Sequence, residues 1–215
     1  MDDLRLTSLL CTRLCHDLVG PVGAMNNGME LLSDTTGDFE TDVIDLLRRS
    51  AGEAARRLRF FRAAYGVPGR TGDDGGIAEA RTVAQTFFEE SKITLDWPGD
   101  TPPPAAAADA RSIQLLLNMV LCAAETLPRG GEIAVRSSAG ADGVTMSVAA
   151  AGPAIKVSDA LRTALAGTGD FETLDARSVQ PFLMARLAAA TGATLGLMQP
   201  SPETAEIAAT LAGAP

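Results

Sequence analysis

The chain has 215 residues, 46 % hydrophobic and 21 % charged, which describes a folded protein of one large or two small domains and excludes a disordered or fibrous one. Its formal net charge of −9 argues against nucleic acid or an anionic membrane as a primary partner, because neutralising phosphates takes surplus Lys and Arg. Only 4 % is aromatic, so the core must be built from Leu, Val, Met and Ala, a mixture that leans helical.

The start, Met1-Asp2-Asp3-Leu4-Arg5, lacks a basic stretch followed by an apolar one, so no signal peptide is expected. Residues 4 to 32 read as one long helix. Leu4, Cys11, Leu18, Met25 and Leu32 recur every seven residues, and Leu14, Cys15, Val22 and Met29 lie beside them, which is the seam of a helical bundle. Ser33 to Asp38 is a turn, with Asp38 or Thr41 able to cap the next helix. That second helix, from Phe39 to Tyr65, carries the stripe Val43, Leu47, Ala51, Ala54, Leu58, Phe61 and Tyr65. Two such helices form an antiparallel hairpin, which encloses no core alone; pairing two copies into a four-helix bundle does, so a homodimer is expected.

Val67 to Gly76 is rich in Gly and Asp and reads as a linker, which separates a hairpin at residues 1–66 from a mixed α and β region at 77–215. In that region the pattern predicts a helix over Ile77–Ser91, a strand over Ile93–Trp97, a Pro- and Ala-rich loop over Pro98–Ala108 and an apolar helix over Ala110–Leu127. Pro128-Arg129-Gly130-Gly131 is a turn. Glu132–Ser137 and Val144–Ala149 read as a strand hairpin, Leu161–Ala166 and Val179–Ala190 as helices, and Leu195–Met198 and Glu206–Leu211 as strands that close the sheet. The expected class is α+β: a helical hairpin followed by an α/β sandwich. No stretch approaches about 18 uninterrupted apolar residues, so no membrane span is expected.

His16 is the single histidine, which excludes zinc-protease and His-Asp phosphohydrolase sites. Cys11, Cys15, His16 and Cys122 could in principle gather a metal, but three cysteines in a reducing cytoplasm read more simply as small hydrophobes. His16 lies mid-helix, with Thr12, Arg13, Gly20, Gly23 and Asn27 on its face. Each glycine in a helix interior costs about 1 kcal/mol relative to Ala, so their presence suggests that something approaches the backbone closely there. Pro21 removes the donor for the Asp17 carbonyl, and a local bend is expected. A neutral imidazole is a competent nucleophile near pH 7, and Asp17 could hold Nδ1–H and leave Nε2 free.

The run His16-Asp17-Leu18-Val19-Gly20-Pro21 resembles the phosphoacceptor box of sensor histidine kinases, and the hairpin is similar to their dimerisation and histidine-phosphotransfer domain. Val19 stands where the box usually has a basic residue. Gly20 replaces the Thr, Asn or Ser that positions water for phosphatase action, which puts that activity in question. The second domain resembles the ATP-binding domain of these kinases with its chemistry removed. Leu117–Pro128 resembles the Asn box, but the Asn that would hold Mg²⁺ is Cys122 and the usual Lys or His is Glu125. Val144–Ile155 resembles the strand and loop carrying the adenine-reading Asp, which here is Ala150, with Ala154 at the second Gly. Ser178–Leu187 resembles the phosphate-cradling Gly-x-Gly-Leu helix start, with Ser178 and Gln180 in place of the glycines.

Across nearly the whole chain the sequence is similar to the ChpT-type histidine phosphotransferases of bacterial phosphorelays. The resemblance implies that His16 takes a phosphoryl group from the receiver domain of a hybrid histidine kinase and passes it to the receiver of a response regulator. It implies no ATP and no cofactor bound by this chain, with Mg²⁺ supplied by the receiver. Asp17 would orient the ring or act as base, and Arg13, Gly20, Gly23 and Asn27 would meet the partner. Helix 2 carries Arg48, Arg49, Arg56, Arg57, Arg59 and Arg62, which read equally as a docking edge for an acidic receiver and as a solvated face. Two other readings stay open: a non-enzymatic dimeric scaffold or inhibitor that binds receivers or kinases, and an ATP-dependent histidine kinase with unusual boxes.

Overall fold

A computed structural model describes residues 3–34, 40–67, 76–99, 109–140, 143–168 and 171–212. The expected Asp38 cap, most of the expected linker and most of the Pro-rich loop lie outside the described residues. Helices α1 (Asp3–Asp34) and α2 (Glu40–Tyr65) form the hairpin. The chain continues as α3 (Gly76–Phe88), β1 (Ile93–Asp96), α4 (Ala110–Glu125), β2 (Gly131–Gly140) and β3 (Gly143–Ala151). Then come α5 (Asp159–Leu165), a 3-10 turn over Phe171–Thr173, α6 (Val179–Thr191), β4 (Ala193–Ser201) and β5 (Thr204–Ala212). The class is α+β, as the sequence pattern predicts. Among the described residues no helix is long and apolar enough to cross a membrane.

Local chemistry sets the element ends. Asp109 caps α4, its carboxylate accepting from the Arg111 and Ser112 amides at 2.9 and 3.2 Å, and Ser158 caps α5 through the Leu161 amide. Gly130 and Gly131 turn the chain into β2 at φ +82° and +147°, where a side chain would be strained, and a Cβ on Gly130 would lie 2.3 Å from the Lys92 carbonyl oxygen. Strands β2 to β5 all run past their predicted ends. Their ends carry Gly, Ala, Ser and Thr, whose weak alternation conceals a ladder that backbone pairing continues.

The five strands lie in the order β1-β2-β3-β5-β4, with β1 and β2 parallel and the other neighbours antiparallel. Period-two alternation sends Ile133, Val135, Met146, Val148, Ile207 and Ala209 into the core. Helix α4 lies across that face. Its run from Gln114 to Ala123 is buried throughout, because the sheet covers one side and α2, α3 and α6 the other.

The hairpin shares this core. Phe60, Phe61 and Ala64 of α2 belong to the same buried cluster as α4 and the sheet. Phe60 packs on Phe87 with ring centroids 4.4 Å apart, Phe61 stacks on Tyr65 at 5.5 Å, and Phe87 meets Phe88 edge-on at 5.0 Å. Four of the seven phenylalanines therefore sit at the joint between hairpin and sandwich, which makes it a packed interface. This joint also corrects the expected α2 stripe: Ala51 and Leu58 are exposed, while Ser50, Phe60 and Ala64 are buried. The base of α2 turns toward the second domain and leaves Leu58 outside.

Candidate functional site

His16 projects from the middle of α1 with its side chain 80 % exposed. Its Nδ1 lies 3.1 Å from Asp17 Oδ1, so the tautomer that donates from Nδ1 to Asp17 leaves Nε2 unprotonated and open to solvent. Gly20, Gly23 and Asn27 follow at helical offsets of four, seven and eleven, on the same face. Helix α1 runs unbroken through Pro21, whose side chain is buried.

The two glycines face open space: a Cβ built on Gly20 or Gly23 meets nothing within 4 Å. The close packing inside the hairpin falls at Gly28 instead, where a Cβ would come within 2.8 Å of Leu47. Nothing among the described residues thus requires glycine at 20 or 23.

Arg13, one turn before His16, faces the sandwich. Its Nη2 pairs with Glu125 Oε1 at the end of α4, and its Nε lies 3.6 Å from Asp17 Oδ2. That separation is too long for a hydrogen bond, and Nε is buried without another partner among the described residues. Burial opposes the charge on Arg13, but Glu125, Tyr65 and Asp17 together hold its pKa above the ordinary guanidinium value. Burial raises the Glu125 carboxyl above the usual range, with Arg13 pulling the other way. Nearer the N-terminus, Arg5 pairs with Glu172 Oε2 at 3.1 Å and donates to the Glu172 carbonyl at 2.6 Å, so α1 is tied to the second domain at two levels.

The end of α2 is held by amide side chains. Gln114 Nε2 donates to the Gly66 carbonyl, and Asn118 Nδ2 to the carbonyls of Ala64 at 2.9 Å and Gln114 at 2.7 Å. Gln180 Nε2 donates to Asn118 Oδ1 at 2.7 Å, and Tyr65 Oη donates to Gln180 Oε1. These contacts satisfy carbonyls that the helix terminus cannot pair within itself. Sequence reasoning missed this role of Asn118 and Gln180, because the joint is assembled from residues 48 to 115 positions apart.

The three positions read as altered nucleotide-binding boxes have definite surroundings. Cys122 is buried in α4, and burial drives its thiol pKa well above the ordinary value. Ala150 is buried in β3, opposite Ile133 of β2 and Ala205 of β5. Gln180 is fully buried in the amide chain just described. Of the three only Cys122 borders a cleft, of about 420 Å³, whose lining includes Glu125, Thr126, Lys156, Asp175 and Ser178. Among the described residues no three His, Cys, Asp or Glu side chains gather to hold a metal ion. Cys122 lies in the core while Cys11 and Cys15 are exposed on α1.

Residues 77–202 match the family model of the histidine phosphotransferase C-terminal domain. Over 194 residues, 90 % of each chain, the sequence is 34 % identical to protein phosphotransferase ChpT of Brucella abortus (strain 2308). A structure described as a bacterial phosphotransferase, solved at 1.7 Å, superposes with a TM-score of 0.82 at 32 % identity, covering 97 % of both chains.

Proposed function

The chain belongs to the ChpT-type histidine phosphotransferases, and on that footing we propose that it relays a phosphoryl group between receiver aspartates through His16 without using ATP. The observation that carries this reading is His16 itself, an exposed imidazole whose Nδ1 is engaged by Asp17 and whose Nε2 is free. The Nε2 lone pair attacks the phosphorus of an aspartyl phosphate on the donor receiver. The N–P bond forms as the P–O bond breaks, and the receiver carboxylate leaves with the electron pair. The Nδ1 proton stays between the ring and Asp17, whose charge offsets the positive charge developing on the imidazole. A second receiver aspartate reverses the sequence. Both phosphorylated species are high in energy, so the exchange is nearly balanced, and positioning rather than bond-making chemistry is what the protein supplies.

Mg²⁺ belongs to the receiver's acidic pocket, where it neutralises phosphoryl charge. ATP independence is supported by Cys122, Ala150 and Gln180: a buried thiol, a buried methyl group and an amide already committed to hydrogen bonds. Gly20 and Gly23, with open space above them, let a receiver close on α1, and Asn27 extends the same face. Arg13 borders it and contributes its charge from the side.

The active form is a homodimer. Val19, Val22, Met29, Leu31, Ile44 and Leu58 are exposed on the hairpin, and Leu58 alone leaves 53 % of its surface in water. A second hairpin would cover such residues in a four-helix bundle. The free cysteines fit a cytoplasmic setting.

A two-receiver relay tests the reading. Label loaded onto a hybrid-kinase receiver should reach a response-regulator receiver only when this chain is present, and His16→Ala should block it. Passage at the same rate with His16→Ala would overturn it and favour a scaffold.

A further inference from the structure

We propose that Glu125, from the second domain, is a positioning residue for the reaction at His16: by holding Arg13 it keeps Asp17 available to orient the imidazole. The proposal rests on His16 being the phosphoacceptor and adds to that reading a role for the domain that has lost its nucleotide boxes.

The geometry is a chain of four side chains. Glu125 Oε1 pairs with Arg13 Nη2, Arg13 Nε stands 3.6 Å from Asp17 Oδ2, and Asp17 Oδ1 lies 3.1 Å from His16 Nδ1. Arg13 therefore lies between two carboxylates and bonds closely to only one. An arginine four residues before an aspartate on a helix is within reach of it, and a guanidinium fork can take both carboxylate oxygens. Here it does not close. Arg13 is drawn toward Glu125, and its buried Nε is left without a hydrogen bond. The consequence falls on Asp17, whose Oδ1 is free to accept from His16.

Removing the Glu125 charge releases Arg13 onto Asp17. Both carboxylate oxygens then turn to the guanidinium, the ring loses its acceptor at Nδ1, and the proton distributes over both nitrogens. A ring protonated at Nε2 cannot attack phosphorus. In the resemblance to histidine kinases, position 125 is where a Lys or His is usual. A basic residue there would repel Arg13, so the acidic residue makes this contact possible. Tyr65 and Cys122 border the same contact, and burial pushes the pKa of each up, so the carboxylates that face Arg13 are those of Glu125 and Asp17.

The single histidine makes this directly measurable, because the untagged chain labelled with ¹⁵N-histidine gives one pair of ring nitrogen signals. For the neutral ring, the wild type should show Nδ1 protonated and Nε2 bare. In Glu125→Gln the two signals should move toward one another as the tautomers mix, phosphotransfer from a labelled receiver should slow roughly tenfold, and Glu125→Asp should recover most of both. Glu125→Ala is read in the same way if Glu125→Gln does not fold, whereas Arg13→Met acts in the opposite sense: with no guanidinium to turn onto Asp17, its ring signals should stay as in the wild type. Because Glu125 acts only through Arg13, adding Arg13→Met to Glu125→Gln should return the ring signals to their wild-type positions. Ring signals unchanged in Glu125→Gln, or moved as far in the double variant as in Glu125→Gln, would overturn the proposal. A wild type that accepts no label would instead overturn the phosphotransfer reading, and the ring signals would still decide whether Glu125 acts through Arg13.

Discussion

Gln180 donates to Asn118 at 2.7 Å inside the joint between hairpin and sandwich, and both residues are fully buried. The position that would be a phosphate-cradling glycine in a kinase-like domain has thus become part of a clamp on α2. Asn118 is the hub, since its amide also donates to the Ala64 and Gln114 carbonyls. Asn118→Leu keeps the branched shape and leaves Gln180 Nε2 and the Ala64 carbonyl unpaired in the core. The expected loss is about 2–3 kcal/mol, seen as a fall in melting temperature of roughly 5–10 °C. An unchanged melting temperature would show that the clamp contributes nothing.

The same substitution pattern predicts no use of nucleotide. Titration of the wild-type chain with Mg-ATP should give no saturable binding heat. Gln180→Gly should give none either, because Ala150 offers no acceptor for adenine and Cys122 no hard oxygen for magnesium. Saturable binding in the wild type would contradict this account of the second domain.

Gly20 and Gly23 should separate stability from function. Each Gly→Ala change has room for its methyl group and removes a helix-interior glycine, so each should stabilise the chain by about 1 kcal/mol, or roughly 2–4 °C. If the open face serves a receiver that approaches the backbone, phosphotransfer should slow in the same variants. Higher melting temperatures with undiminished transfer would mean that the glycines serve no partner.

Asp175 links stability to acidity. The Ser178 amide, then its hydroxyl, and the Arg177 amide hold the carboxyl below its ordinary value of 3.8. A folded value below the unfolded one means the carboxylate stabilises the fold above the unfolded pKa. That contribution is lost as pH falls through the folded value. Asp175→Ala should therefore melt lower than wild type at about pH 6 to 7, with the gap shrinking once the pH passes below about 3.8. A gap independent of pH would assign the effect to packing instead of charge.

Much of this architecture was legible in the sequence. Long amphipathic helices announce themselves through many repeats of one spacing, so α1, α2 and α4 were readable to within a few residues. The α2 stripe shows the limit of that signal. Periodicity marks apolar faces without saying what covers each, and at the base of α2 the sandwich takes Phe60 and Ala64 while Leu58 remains outside. His16, Asp17 and the glycine face emerge from local spacing on one helix. The roles of Glu125 and Gln180 depend on pairing with Arg13 and Asn118, 112 and 62 residues away, which no local pattern encodes. Gly28 was equally silent, since its need for a bare Cα arises from Leu47 on the opposing helix.

The most direct measurement supplies a receiver domain carrying labelled aspartyl phosphate, with no nucleotide present, to the wild-type chain and to His16→Ala. The account predicts label on the wild type only, stable to base and labile to acid as a phosphohistidine must be. Label on His16→Ala, or none on the wild type from any receiver that binds it tightly, would contradict it.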